Sequence, residues 1–182
     1  DEAGNNAKDA HKETNELRYA RPAGVPLWCN VSPSFAEKAG NLLDAVCHYT
    51  SFIGDEKACA GLAARYHEQG KQFYFIASGC YVGQEFDMMP NRHSVGTAFW
   101  KSGLDGTGIW TFQRPNGDPY DDFDGVFKEY CLVLPPRQKG GDPVPTLGWE
   151  GIREGWKDYR YVAALERAVA RAEAAGRPAD AA

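Results

Sequence analysis

The chain opens Asp1-Glu2, two adjacent carboxylates. Neighbouring side chains on a strand point to opposite faces. Where a strand ends, the chain bends and both can reach one pocket. In a barrel of parallel strands, the C-terminal end is where active sites form. Glycoside cleavage commonly uses two carboxyl groups. Some enzymes instead use the substrate's own acetamido group as nucleophile, beside one acid/base and one orienting residue. An adjacent Asp-Glu pair suits that division of labour. A separated pair, Glu2 with Glu85, suits the two-carboxylate alternative.

Other candidates are polar or aromatic residues at the ends of expected strands: Asn30, His48, Tyr49, Tyr81 and Trp110. A Tyr hydroxyl there could bond an acetamido carbonyl, and Trp110 could form an apolar wall beneath a sugar ring. Trp28, inside a strand, reads as inward core. Arg92 is expected near a helix start, where it opposes the helix dipole. That placement calls for a carboxylate partner. His48 stands beside Cys47, and Cys29 comes near if the strands pair. A metal site there would need further ligands, and no fourth is obvious. Asp118, Asp121, Asp122 and Asp124 lack the spacing of a calcium loop and read as a solvated surface.

These positions need a scaffold, and the chain alternates apolar runs with helical stretches. Strands are expected at Val25 to Val31, Ala45 to Tyr49, Gln72 to Ala77 and Thr107 to Phe112, with a short fifth at Tyr130 to Leu134. Helical spacing marks Asn6 to Tyr19 and Phe35 to Leu43, the latter capped by Ser34. A further helix runs from Asp55 to about Gln69 and stops at Gly70. Arg92 to Ser102 reads as one helix ended by Gly103. Gln113 to Gly125 is a polar loop, and Arg137 to Asp142 a Gly-rich turn. The last helix spans Trp149 to Ala175, before Gly176. Alternating strands and helices define an α/β class. Near-continuous apolar strands are those of a parallel sheet buried on both faces, a pattern that a half barrel and a small doubly wound sheet both satisfy.

The formal charge of −5 is spread along the chain, against nucleic acid or an acidic membrane surface as main partner. No apolar run reaches the ~20 residues of a membrane span. The five cysteines contain no Cys-x-x-Cys, which excludes zinc-ribbon and thioredoxin motifs. They read as buried free thiols. No Gly-x-Gly-x-x-Gly follows a strand, so a dinucleotide has no cradle.

The run Pro145 to Tyr161 contains Glu150, Arg153, Gly155, Asp158 and Tyr159 as Glu-x-x-Arg-x-Gly-x-x-Asp-Tyr. It resembles the closing signature of bacterial carbohydrate-active enzymes around glycoside hydrolase family 123. Pro90-Asn91-Arg92-His93-Ser94, and the turn from Trp100-Lys101 to Asp105-Gly106, are similar to the family's run into its last strand. The family often carries Ser-x-Arg before the Glu, whereas Thr146-Leu147-Gly148-Trp149 stands here. The resemblance implies the C-terminal half of a (β/α)8 TIM barrel. Residues 1–134 would form the partial barrel, and 135–182 its closing loop and C-terminal helix. It further implies substrate-assisted, retaining cleavage of β-N-acetylhexosaminides. Glu2 would be the acid/base, and Asp1 would orient the acetamide. Asn30, His48, Tyr49, Tyr81, Arg92 and Trp110 would contact the carbohydrate substrate. No cofactor or metal is implied, and secretion or a periplasmic place is. A barrel of about 250 residues exceeds this chain. Half a barrel exposes open sheet edges, through which copies could self-associate, and alone it is not expected to turn over substrate.

Overall fold

The computed structural model describes residues 7–49, 56–77, 88–109, 112–115, 117–121 and 130–177. Asp1, Glu2, Asp55, Cys80, Tyr81, Glu85, Trp110, Asp122 and Asp124 lie outside the described residues. By contacts the chain divides into two compact units. The first holds residues 1–81 and 101–112, the second 82–100 and 113–182.

The first unit is built on four apolar runs that pair as one parallel sheet. They are β1 (Trp28–Asn30), β2 (Ala45–Tyr49), β3 (Gln72–Ala77) and β4 (Gly106–Ile109), in the spatial order β1-β2-β3-β4. Sequence order is kept throughout, so the sheet has no point at which its winding reverses. Three helices belong to this unit: α1 (Ala7–Ala20), α2 (Pro33–Ala39) and α3 (Glu56–Glu68). Ser32, not Ser34, caps α2, its hydroxyl accepting from the Phe35 N–H. Pro33 explains the shift of two residues, because its fixed φ suits the first helical position and leaves Ser32, just before it, as the cap. Past α3, Gly70 turns the chain at φ 70°.

Register sorts the side chains. Cys29, Val46, His48, Phe73, Phe75 and Thr107 share one face, and Tyr66 of α3 packs on it against His48 and Phe73. Trp28, Asn30, Cys47, Tyr49, Gln72 and Tyr74 share the other. Trp28 is 53% exposed, which corrects its expected place in the core. It stands on the outermost strand, on the face away from α3.

In the second unit the expected single helix is two, α4 (Met88–Val95) and α5 (Thr97–Ser102), broken at Gly96 rather than continuous to Gly103. The expected fifth strand also divides. β6 (Tyr130–Cys131) pairs antiparallel with β5 (Gln113–Arg114), and β7 (Val133–Leu134) with β8 (Val144–Pro145). These two-residue ladders are not parallel strands of the sheet. Two residues per pairing hold little register information, which is why the sequence pattern merged them. The long closing helix is α6 (Leu147–Ala174). Its cap, Thr146, accepts from the Trp149 N–H and donates to the Leu132 carbonyl.

Helix α6 lies against α4 almost backbone to backbone. A Cβ on Gly155 would fall 2.5 Å from the Arg92 carbonyl oxygen and closer still to Val95. A Cβ on Gly96 would fall 3.1 Å from the Gly155 oxygen, and one on Gly151 would collide with the Met88 carbonyl. Gly155→Ala should therefore destabilise the second unit by about 1–3 kcal/mol, the usual range for overpacking. Gly61, in α3, has nothing within 4 Å of its would-be Cβ. Gly61→Ala should stabilise by roughly 0.5–1 kcal/mol through helix propensity. Urea denaturation of both variants tests the contrast. Equal effects would mean that the α4–α6 approach is not this close.

Candidate functional site

The N-terminal edge of the sheet is fixed by two aspartates in the same arrangement. Asp44 immediately precedes β2, and its carboxylate accepts the Leu27 N–H at 2.8 Å while its own N–H returns to the Leu27 carbonyl at 2.9 Å. Asp105 immediately precedes β4 and exchanges the same pair of bonds with Phe73, at 2.8 and 2.9 Å. Each carboxylate also meets a basic side chain, Arg21 for Asp44 and His67 for Asp105. Arg21 and the Leu27 N–H hold the Asp44 carboxyl below its ordinary pKa. Burial pulls the Asp105 carboxyl upward, but the Phe73 N–H and His67 outweigh it and leave it lowered. Gly106, next to Asp105, makes room for an aromatic ring. Its missing side chain admits the Tyr74 ring, 2.5 Å from where a Cβ would stand.

With register fixed, the expected site residues separate. Asn30 and Tyr49 fall on the same face, at the C-terminal ends of β1 and β2. Asn30 Oδ1 is buried and has no partner. On the same face, the Tyr74 hydroxyl donates to Gln72 Oε1 at 3.0 Å. This face thus carries two amides, two phenols and Trp28, the mixture of flat apolar surface and directional polar groups that ligand sites use.

His48 lies on the opposite face and is completely buried. Its Nδ1–H donates to the Val31 carbonyl at 2.5 Å, and its Nε2 accepts from the Tyr66 hydroxyl at 2.8 Å. Both nitrogens are consumed inside the first unit, so a rim position for His48 is corrected to a strut joining β1, β2 and α3. Burial lowers its pKa, the Val31 and Cys47 carbonyls pulling the other way. Burial also pushes the Tyr66 hydroxyl up to about 12.

Cys47 is adjacent to His48 and so points to the other face, while Cys29 pairs in register with Val46. The three do not converge. Among the described residues, no group of three His, Cys, Asp or Glu could hold a metal ion. Cys29, Cys47, Cys59 and Cys131 are thiols and not disulfide-bonded. Burial raises the Cys47 thiol to about 12 and the Cys59 thiol to about 11, away from nucleophilic use.

Arg92 has a carboxylate partner, though not at the helix start or barrel rim where one was expected. That partner is Asp158 of α6, bound through Nε at 2.6 Å and Nη2 at 2.9 Å. The fork spans the glycine contact between α4 and α6, in the last turn of α4 rather than at a helix start. Other residues of the closing signature are used within α6 and against α5. Glu150 pairs with Arg153, and Tyr159 packs on Phe99. Tyr81 and Trp110 lie outside the described residues. The paired aspartates, Tyr66 and the Gln72–Tyr74 bond were not singled out from sequence. An Asp directly before two of the four strands was the visible signal for the first.

No protein-family model matches the chain, and no curated protein matches it. No helix among the described residues is long and apolar enough to cross a membrane.

The buried His48–Tyr66 pair sets a pH response. Unfolded His48 binds a proton below about pH 6.5, and the folded protein resists it. The unfolded state then holds more protons, so stability is full above about pH 6.5 and falls as the pH drops. The lowered Asp44 and Asp105 carboxyls add a second loss below about pH 4. Urea midpoints at pH 7.5, 5 and 3 should step down twice. A flat profile from pH 7.5 to 5 would contradict the His48 strut. Tyr66→Phe strips the donor from Nε2 and should cost about 1–3 kcal/mol at neutral pH.

Proposed function

We propose that the chain carries four consecutive strands of a (β/α)8 glycoside hydrolase acting on β-linked N-acetylhexosaminides, N-acetylgalactosaminides in particular. One observation carries this reading. Four parallel strands follow one another in unbroken order, with helix α3 on one face and Asn30, Tyr49, Gln72 and Tyr74 on the other. A doubly wound sheet would reverse its order to place helices on both faces. A barrel keeps sequence order and turns one face inward.

Asp1-Glu2 would end the strand before β1, placing both carboxyls at the rim that Asn30 and Tyr49 share. Glu2 gives its proton to the leaving oxygen. The substrate's acetamido oxygen attacks the anomeric carbon from the opposite side, closing an oxazolinium ring. Asp1 orients the acetamide nitrogen and balances its charge. Glu2, now a carboxylate, takes a proton from the water that opens the ring, and configuration is retained. The unpartnered Asn30 Oδ1 suits a sugar hydroxyl or amide donor. Resemblance of the closing signature to family 123 supplies the substrate class.

The test compares aryl β-N-acetylgalactosaminide with aryl β-galactoside, in the chain and in any longer natural form of it. Only the acetamido sugar should be cleaved, and Glu2→Ala should lower the rate by about 10²–10⁴-fold. Equal cleavage of both sugars, or full activity in Glu2→Ala, would remove this mechanism. Sugar binding with no turnover in any form would replace it with a carbohydrate-binding role.

A further inference from the structure

We propose that the outer face of α6 docks an acidic polysaccharide, a chain in which an N-acetylhexosamine alternates with a uronic acid. The choice of sugar rests on the reading above. The charge and spacing rest on α6 alone.

Helix α6 carries five basic and five acidic residues, and they are segregated. Arg153, Lys157, Arg160, Ala164, Arg167 and Arg171 follow one another at steps of four and three residues. That spacing gathers them into one stripe along the helix. Gly151 and Gly155, which meet α4, lie on nearly the opposite side. Four of the acids are engaged: Glu150 with Arg153, Glu154 with Lys157, Asp158 with Arg92, and Glu166 with the Trp100 indole. Arg160, Arg167 and Arg171 are exposed and make no ion pair among the described residues. Arg167 and Arg171 also stand one turn apart, where like charges repel.

Such a face stays in water. Covering an unpaired guanidinium with apolar surface is strongly unfavourable. Any further chain that packs on α6 would take its uncharged sides. An acidic occupant instead neutralises the three cations and relieves their repulsion.

Shape and spacing select the occupant. A groove of about 540 Å³ lies along the stripe, lined by Lys157, Arg160, Tyr161 and Arg167, with no carboxylate among the described residues that line it. Tyr161, 77% exposed, offers a ring face on which a sugar can lie. Arg160 and Arg167 stand two turns apart, about 10.5 Å along the axis. A chain of pyranose rings with an acid on every second ring presents its charges at a similar interval. A nucleic-acid strand carries a phosphate every ~3.4 Å of axis, far more densely. A partner helix would need an apolar seam, and the stripe's one uncharged member is Ala164.

Calorimetric titration with a chondroitin oligosaccharide, N-acetylgalactosamine alternating with glucuronic acid, tests this on the chain and on any longer natural form of it. Binding should weaken as salt is raised. Arg160→Gln combined with Arg167→Gln should raise the dissociation constant at least about tenfold. The same charge removed from α3, by Lys57→Gln with Arg65→Gln, should leave it unchanged. Reducing the sugar's carboxyls to alcohols should weaken binding by a similar factor. Unchanged affinity in the α6 variant, or for the reduced sugar, would overturn the proposal. Equal affinity for polyglutamate or for an oligonucleotide of matching charge would overturn it too, since the stripe would then take any polyanion. Cleavage of the aryl N-acetylgalactosaminide without chondroitin binding would leave the hydrolase reading and remove this one. Binding lost in the α6 variant, without any cleavage, would do the reverse.

Discussion

An aspartate placed directly before a strand, bonded twice to the backbone of the neighbouring strand, is the constraint on which the first unit depends. Asp44 ties β2 to the residue before β1, and Asp105 ties β4 to β3. The Asp44 carbonyl also accepts the Gln72 N–H at 2.9 Å, which carries the alignment on to β3. A parallel sheet has no hairpin turn to set its register. A slip of one residue would exchange the two faces of a strand. His48 would then leave Tyr66, and Tyr49 would turn toward α3. Two short side chains at one edge thus decide which residues face the helix layer and which face away.

The second unit relies on a different device, the absence of side chains. Gly151 and Gly155 are one helical turn apart on α6, and Gly96 faces them from the end of α4. Removing three Cβ atoms brings two helix backbones together, and Arg92 and Asp158 then span the approach with a two-bond fork. Half-exposed ion pairs add little by themselves. Here the fork adds direction, since a guanidinium meets a carboxylate in a plane. Trp156, Tyr159 and Phe99 close the same contact with ring edges and faces, at centroid distances of 5.3 to 5.9 Å.

Much of this was legible in the residues where local rules act alone. β2 and β3 have the bounds their apolar runs gave, and Gly70 stops α3 because a left-handed residue was needed there. Arg92 does pair with a carboxylate, but from the last turn of α4 and not from the helix start that suggested a partner. Other features depend on partners distant in sequence. Gly96, which separates α4 from α5, faces Gly155, 59 residues further along the chain. β6 and β7 are separate because β5 and β8 pair with them on their own terms. The role of His48 could not be read from its neighbours in sequence. On the same strand His48 and Tyr49 look alike as polar ends, yet alternation sends one to α3 and the other away from it.

That alternation bears directly on where binding chemistry can reside. A side chain whose hydrogen-bonding capacity is filled from within the fold has little left for a ligand. His48 spends both nitrogens on Val31 and Tyr66, and Arg92 spends its fork on Asp158. Asn30 differs, because its amide oxygen is withdrawn from solvent and still unmet. A lone buried acceptor costs free energy unless a donor reaches it. That cost would be recovered if a donor reached it, and an apolar group could not supply one. Tyr49, Gln72 and Tyr74 share its face, so the donor would arrive over aromatic surface. A sugar presents both requirements in one molecule, hydroxyl edges and a flat C–H face.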